Sequence, residues 1–173
     1  MSEASSYSAA ETLRNGRRVE IRALRPDDKA ALLAAVGRVG PQSLFRRFFA
    51  AKRGFTEREI AFFVNVDFDS QVALVAVTEE HGGPAIVGGA RYIVGRPGTA
   101  EVAFAVVDDH QGQGVGAALM RHLAVLAREA GLRELIAEVL PDNVPMLTVF
   151  EKSGLRFTRK RTPEAVHIAL SLS

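Results

Sequence analysis

A glycine-rich stretch, Gln111–Gly116, follows the apolar run Val102–Val107 and a short polar break. From Val115 onward the apolar residues recur at helical spacing until Gly131, so the sequence predicts a buried strand, a glycine loop and a helix in that order. The first N–H groups of a helix lack partners and carry partial positive charge. Glycines add no Cβ atoms that would keep a ligand away from these groups. The stretch therefore predicts an anion site made of backbone and suited to a pyrophosphate.

Glu101 opens the strand that leads into this loop. By the alternation of a strand, its side chain shares a face with Ala103, Ala105 and Val107. Apolar neighbours favour the neutral form of a carboxyl group, and a carboxylate that readily takes up a proton can act as a general base. We therefore predict that Glu101 is a general base, with an ordinary surface carboxylate as the alternative.

The composition narrows the class of protein. With 173 residues, of which 47% are hydrophobic, the chain is expected to fold as one domain with a substantial core. It has no cysteine, and its histidines show no ligand spacing, so neither disulfides nor a metal site is predicted. No apolar run is long enough to span a membrane and no signal-peptide core is visible, so we expect a cytoplasmic protein without a membrane partner. We expect no nucleic-acid partner either, and the oligomeric state stays open.

The hydrophobic pattern divides the chain into a tail and one domain. Residues 1–16 are rich in Ser and Ala without a clear period, so they predict a flexible N-terminal tail before a single domain over residues 17–173. The further elements that the pattern predicts are strands at Arg18–Leu24, Gln71–Thr78, Ala85–Val94, Leu135–Val139, Arg156–Arg159 and Ala165–Leu172, and helices after Pro26, at Pro41–Phe49, at Thr56–Val64 and after Pro141. The predicted fold class is α/β, or α+β. It is a mixed, mostly antiparallel twisted sheet with helices on both faces and one parallel strand–helix–strand crossover.

The glycine loop allows three interpretations. The pattern Gly112-x-Gly114-x-x-Ala117 fits the dinucleotide fingerprint, and the acidic Glu138 follows at the end of the next strand. Against this interpretation, the polar residues 108–111 separate the strand from the first glycine, and a dinucleotide fold needs more strand–helix units than the chain holds. A helix entry without a ligand is the second interpretation, and a pyrophosphate site of another kind is the third.

The motif Gln111-x-x-Gly114-x-Gly116 resembles the Q/R-x-x-G-x-G/A signature of the GNAT superfamily of N-acetyltransferases. The resemblance extends roughly from Arg18 to Leu172, and Phe150–Phe157 is similar to the family's L-Y-x-K-x-G-F ending. It implies the GNAT acyl-CoA N-acyltransferase fold, with acetyl-CoA (coenzyme A) as co-substrate and no metal. The cofactor-binding residues that the resemblance implies are Val106, Val107, Gln111, Gly112, Gln113, Gly114, Val115, Gly116, Ala117, Asn143 and Phe150.

The resemblance also implies a role for each of these residues in cofactor binding or catalysis. The loop grips the pyrophosphate of coenzyme A, while the backbone of Val106 and Val107 pairs with the pantetheine arm as an added strand and offers an N–H to the oxyanion. Asn143 matches an asparagine that contacts pantetheine, and it could at the same time cap the following helix. Many members have a tyrosine acid where this chain has Phe150, which cannot donate a proton. We expect Phe150 to pack beside the cofactor, and the thiolate to leave unaided or with help from water or Ser153.

Four segments are similar to the bacterial protein lysine acetyltransferases, the Pat group: Ser43–Phe49, Phe55–Glu59, Asp67–Leu74 and Glu101–Phe104. This similarity implies that Glu101 is the catalytic base toward an amine, which is charged at neutral pH and must lose a proton. Members of the group often carry a regulatory or synthetase domain. We expect none here, because no stretch of this chain is long enough to be one.

We therefore expect an acetyl-CoA-dependent N-acetyltransferase that moves the acetyl group directly to a primary amine. A protein lysine is favoured over a small-molecule amine, because of the Pat similarity and because the basic, Phe-rich segment Phe45–Phe55 could be a docking surface, although its phenylalanines could simply pack in helices. An acyl-CoA-binding regulatory module without turnover is the alternative from another class. His110 and His122 are expected on a loop and on a helix surface, without partners.

Overall fold

The computed structural model describes residues 6–13, 16–36, 67–68, 70–80, 82–106, 114–139, 144–152 and 154–172. Its strands are β1 (Ser8–Thr12), β2 (Arg18–Ala23), β3 (Gln71–Glu80), β4 (Gly83–Arg96), β5 (Thr99–Val106), β6 (Glu134–Val139), β7 (Phe157–Arg161) and β8 (Val166–Ser171). Its helices are α1 (Lys29–Val36), preceded by a 3-10 turn at Pro26–Asp28, α2 (Val115–Glu129) and α3 (Val144–Glu151). The helices predicted at Pro41–Phe49 and Thr56–Val64 lie outside the described residues.

The eight strands within the described residues form one sheet in the order β1-β2-β3-β4-β5-β6-β8-β7. Neighbouring strands are antiparallel except β5 and β6, which are parallel and have α2 between them in the chain. The predicted mixed, mostly antiparallel sheet with one parallel crossover is confirmed, and β3, β4 and β5 form an antiparallel meander within it.

The centre of the sheet is covered on both faces. In β2 the alternating residues Val19, Ile21 and Ala23 are buried, as a strand with one covered face requires. In β3 every residue of Val72–Ala76 is buried, and successive side chains point to opposite faces, so both faces are covered there. Helix α2 packs a buried stripe that includes Leu119 against β4 and its neighbours, and α1 also contacts β4. These contacts hold α2 against the sheet.

The segment Ser8–Thr12 forms strand β1, so the flexible tail predicted for residues 1–16 is wrong for these positions. β1 pairs antiparallel with β2, from Ser8↔Arg22 to Thr12↔Arg18. The small Ser and Ala side chains show no apolar alternation that would predict a strand. Pairing with β2, rather than the intrinsic propensity of the segment, decides its structure.

Contacts between the β1 region and α2 hold this edge strand in place. The Tyr7 hydroxyl is hydrogen-bonded to His122 Nδ1, and Glu11 Oε1 accepts from His122 Nε2 at 2.7 Å. The His122 side chain is 15% exposed, so its expected place on the helix surface without partners is wrong. Burial raises the pKa of Glu11, but the hydrogen bond to His122 and the charge of Arg121 outweigh burial and hold this pKa below its usual range.

Arg22 in β2 and Asp28 before α1 form a bidentate ion pair, with Nη1–Oδ2 and Nη2–Oδ1 distances of 2.8 and 2.9 Å. The backbone N–H of Arg25 also donates to Asp28 Oδ2 at 2.7 Å. Burial raises the pKa of Asp28, but the hydrogen bonds from Arg22 and Arg25 outweigh burial, so its pKa lies below the usual range. The pair fixes the start of α1 against the sheet.

We expect Asp28→Asn to lower the free energy of unfolding at neutral pH by on the order of 3 kcal/mol, because Arg22 loses its partner in a largely buried place. A carboxyl whose folded-state pKa is lowered stabilises the fold above its unfolded-state pKa of about 3.9, and this contribution is lost as the pH falls through the folded-state value. Urea unfolding from neutral pH to about pH 3 should therefore show a smaller acid-induced loss in Asp28→Asn than in the parent.

The exposed neighbour supplies the control for this measurement. Asp27→Asn changes the same functional group one position away, where the side chain is exposed, and should unfold like the parent at every pH. Equal acid-induced losses in the parent and in Asp28→Asn would contradict the assigned role of the Arg22–Asp28 pair.

Candidate active site

The parallel strands β5 and β6 pair over only three positions, Thr99↔Glu134, Ala100↔Leu135 and Glu101↔Ile136. Beyond Glu101, β5 continues to Val106 as the partner of β4, while β6 continues to Val139 as the partner of β8. The two strands therefore separate at their carboxyl ends. In open α/β sheets a crevice at the carboxyl ends of strands is the usual place for a ligand. One side of the β5 backbone from Val102 to Val106 has no strand partner among the described residues, so it can accept an extended ligand as an added strand.

Helix α2 is the next described element after β5, and its N-terminus is the second part of the candidate site. Gly114 is its N-cap residue, with φ 94° and ψ 6° in the left-handed region, and it supplies no side-chain cap. A Cβ atom added at Gly114 would meet no atom within 4 Å, so the position that a side chain would take at this residue is empty among the described residues. The N-terminus of this 15-residue helix has no side-chain cap, so the N–H groups of its buried first turn, Val115, Gly116 and Ala117, are suited to an anionic group such as a pyrophosphate.

Of the remaining residues predicted to bind the cofactor, some lie within the described part of the structure and others lie outside it. Val106 ends β5, as expected from its proposed backbone role. Val107, Gln111, Gly112, Gln113 and Asn143 lie outside the described residues, so the middle of the predicted cradle stays a prediction. The structure thus describes the two ends of the predicted cradle, the strand that enters it and the helix that leaves it.

Glu101 occupies the last position at which β5 and β6 still pair. Its partners in register are Ile93 in β4 and Ile136 in β6. Ala103, two residues further along β5, is half-buried on the same face, which agrees with the predicted alternation. The Glu101 side chain is exposed, so it has apolar neighbours in register but is not enclosed by them. An exposed carboxylate at the mouth of the opening can reach a group that arrives from solvent.

Phe150 and Tyr92 are both buried in the core. Phe150 in α3 has no exposed surface, and Tyr92 in β4 is 1% exposed. Tyr92 pairs with Val102, and neighbouring strand residues alternate in direction, so the Tyr92 ring lies on the opposite face of the sheet from Glu101. Phe150 packs, as expected, although its place beside a cofactor stays a prediction.

The sheet topology also argues against the interpretation of the glycine loop as a dinucleotide-binding site. A dinucleotide-binding fold is built from consecutive parallel strand–helix–strand units, and β5–α2–β6 is the single parallel unit among the described strands. Glu138, the acidic residue of that interpretation, is exposed, and its carboxylate lies 3.9 Å from His167 Nε2. The described residues contain no group of three or more His, Asp and Glu side chains placed to hold a metal ion. No described helix is both long and apolar enough to cross a membrane.

The family model of the acetyltransferase (GNAT) family matches residues 42–155 of this chain. The chain belongs to the GNAT acetyltransferase family. This membership makes it an N-acetyltransferase.

Three similar proteins support the assignment. Acetyltransferase PA5475 of Pseudomonas aeruginosa is 33% identical over 126 residues, which cover 72% of this chain and 68% of that protein. Acetyltransferase Pat of Mycolicibacterium smegmatis is 32% identical over 150 residues, which cover 86% of this chain and 44% of that protein. The solved GNAT domain of S. lividans PAT superposes with a TM-score of 0.85 at 34% identity, covering 95% of this chain and 96% of that domain. The chain thus spans less than half the length of the M. smegmatis relative.

Proposed function

We propose that this protein transfers an acetyl group directly from acetyl-CoA to a primary amine, most favourably the side chain of a protein lysine. The observation that carries the proposal is the separation of β5 from β6 directly after Glu101. Among the described residues, a backbone edge without a strand partner and an exposed carboxylate thus lie at the same opening, and helix α2, which has no side-chain cap, comes next among the described elements. The proposal includes the cytoplasmic location expected from the sequence.

Two parts of this chain would hold acetyl-CoA. The N–H groups of Val115, Gly116 and Ala117, with the preceding glycine loop, would bind its pyrophosphate. The unpaired side of the β5 backbone, Val102–Val106, would hydrogen-bond the amides of its pantetheine arm. Asn143 directly precedes Val144, the first residue of α3, so a helix cap and a pantetheine contact are compatible roles for it.

Glu101 would prepare the amine for reaction. A lysine amine is charged at neutral pH, and it becomes a nucleophile only after it loses a proton. The exposed Glu101 carboxylate can take that proton directly or through one water molecule. When bound, acetyl-CoA supplies the acetyl group as a thioester. Phe150 carries no proton to donate and is buried in the core, so its side chain supplies no acid to the leaving thiolate, whose modest pKa makes departure without an acid feasible.

The similarity to Pat proteins supports a protein lysine as the acceptor. The match to the S. lividans PAT domain extends over almost the whole of both chains, whereas the segments that suggested the Pat group cover only parts of the sequence. A small-molecule amine is the second candidate acceptor, and a panel of acceptors distinguishes the two. A binding module without turnover is disfavoured, because such a module has no need of a carboxylate at the mouth of the opening.

We expect acetyl-CoA to raise the unfolding temperature of the parent protein, since a ligand that binds only the folded state stabilises it by about 2.7 kcal/mol at a concentration of 100 Kd. Gly114→Asp should abolish this shift, because a carboxylate would face the pyrophosphate. Gly114→Asn should retain much of it, because Asn is neutral and tolerates the left-handed conformation of this position. Thermal unfolding with and without acetyl-CoA measures the difference.

Gly131, at the other end of α2, provides the matched control. It has φ 84° and, like Gly114, no atom within 4 Å of an added Cβ. Gly131→Asp imposes a similar backbone strain far from the proposed site, and it should keep the full shift. A parent protein that is stabilised by NAD and not by acetyl-CoA would contradict the proposed cofactor.

We expect Glu101→Gln to lower turnover by about 10²–10⁴-fold, the usual contribution of a general base. The KM for acetyl-CoA should barely change, because the backbone and not this side chain holds the cofactor. Part of the loss should be recovered at high pH, where more of the acceptor amine is already neutral. Steady-state kinetics on a confirmed acceptor across a range of pH provides the test.

Glu134 supplies a control for the change of charge alone. It lies in β6 opposite Thr99, outside the opening, so Glu134→Gln removes a nearby carboxylate without touching the proposed chemistry. Its turnover should stay close to that of the parent. If Glu101→Gln is as active as the parent at neutral pH, Glu101 is not the base.

A further inference from the structure

Ile93 is an exposed isoleucine near the C-terminal end of the interior strand β4. Its side chain is 40% exposed, although it lies in β4 between two paired strands. Val125 in α2, at 39%, is the other large hydrophobic residue of the described part with comparable exposure. Single exposed apolar residues are common on protein surfaces, so exposure alone assigns no role to either.

The position of Ile93 distinguishes it from Val125. Ile93 is the direct cross-strand neighbour of Glu101, and Ile136 is the neighbour on the other side. Residues that pair across strands share a face and lie about 4.8 Å apart in the direction of the hydrogen bonds. The three side chains therefore form one row, an exposed carboxylate between two isoleucines, on the face where Ala103 is half-buried.

The two isoleucines are not equivalent. Ile136 belongs to β6 and borders the opening that would receive the cofactor. Ile93 lies on the side of β4, where β5 is fully paired and no opening exists between the strands. Ile93 is therefore the exposed apolar neighbour of Glu101 on the side that a bound cofactor would leave accessible to the amine.

We propose that Ile93 binds the methylene stem of the acceptor and thereby selects amines carried on a lysine-length aliphatic arm. The inference rests on the proposed function and names the substrate class of the same site. A lysine stem of four carbons is long enough to cross one strand spacing of about 4.8 Å, so its methylenes lie on Ile93 while its ammonium group reaches the Glu101 carboxylate. The row thus complements both the charge and the apolar arm of a lysine side chain.

Acceptors that differ only in stem length test this inference. The probes are three peptides of one sequence whose single amine is carried by lysine, by ornithine or by diaminobutyrate, each one methylene shorter than the last. With saturating acetyl-CoA, the parent should lose roughly fourfold in kcat/KM for each methylene removed, the value expected for a buried CH₂ group. Initial rates of peptide acetylation, followed by mass spectrometry, give these constants.

Variants of Ile93 connect the preference to this residue. Ile93→Thr keeps a β-branched side chain suited to a strand but replaces apolar surface with a hydroxyl. It should raise the KM for the lysine peptide roughly tenfold and flatten the dependence on stem length, with the KM for acetyl-CoA unchanged. Ile93→Leu, which keeps an apolar side chain, should retain the parent's preference for the longer stem. Val125→Thr, at a position of equal exposure on α2, should leave all of these values unchanged.

The outcomes separate this inference from the proposed function. Acetylation of the three peptides at equal rates by the parent, or a stem preference that survives in Ile93→Thr, would overturn the role of Ile93 and leave acetyl transfer intact. A parent that binds acetyl-CoA but acetylates none of the three peptides would overturn the lysine-type acceptor. No binding of acetyl-CoA at all would overturn the proposed function itself.

Discussion

The limited pairing of β5 with β6 is the constraint on which the proposed site depends. Parallel strands in one sheet normally stay hydrogen-bonded along their length, whereas these two pair over three positions and then separate. The separation does not disorder either strand, because β4 holds β5 up to Val106 and β8 holds β6 up to Val139. An opening lined by backbone is thus built into an otherwise continuous sheet, and Glu101 lies at the point where it begins.

Contacts elsewhere in the fold hold the elements around that opening. Helix α2 packs across β4 and its neighbours through a buried stripe that includes Leu119, which fixes the direction of its N-terminus. Tyr7 and Glu11 contact His122, two turns into the same helix, so the N-terminal edge strand also restrains α2. Gly114 then begins the helix in a backbone conformation that other residues rarely adopt, and no side chain of the described residues caps the helix. The contacts that stabilise the fold therefore also hold the helix end at which the proposal places the anion.

Most of the sheet could be predicted from local pattern, because each central strand buries an alternating or continuous apolar set such as Val72–Ala76. Strand β1 could not, since its structure comes from pairing with β2 and its small residues carry no pattern of their own. The contact of Tyr7 with His122 could not be predicted either, because it joins residues that are distant in the chain and depends on packing. The glycine motif predicted the family, and the match to the GNAT family model confirms it.

The candidate site was predictable in its residue types but not in its geometry. The position of Glu101 in the chain led to the prediction that it is a base, and the glycine loop led to the prediction of an anion site. The flanking of Glu101 by Ile93 and Ile136 depends on strand register, which a sequence determines only through the whole sheet. Register also sets the point at which β5 and β6 separate, and no single motif encodes it.

Hydrogen–deuterium exchange of the full chain, with and without acetyl-CoA, tests the central claim that the opening between β5 and β6 holds the cofactor. If the claim is right, acetyl-CoA slows exchange at two places together, the N–H groups of Val102–Val106 that face the opening and those of the first turn of α2, Val115–Ala117. Exchange in the edge strands β1 and β7 should not change. Binding of acetyl-CoA that leaves both the β5 segment and the start of α2 unprotected would contradict the account.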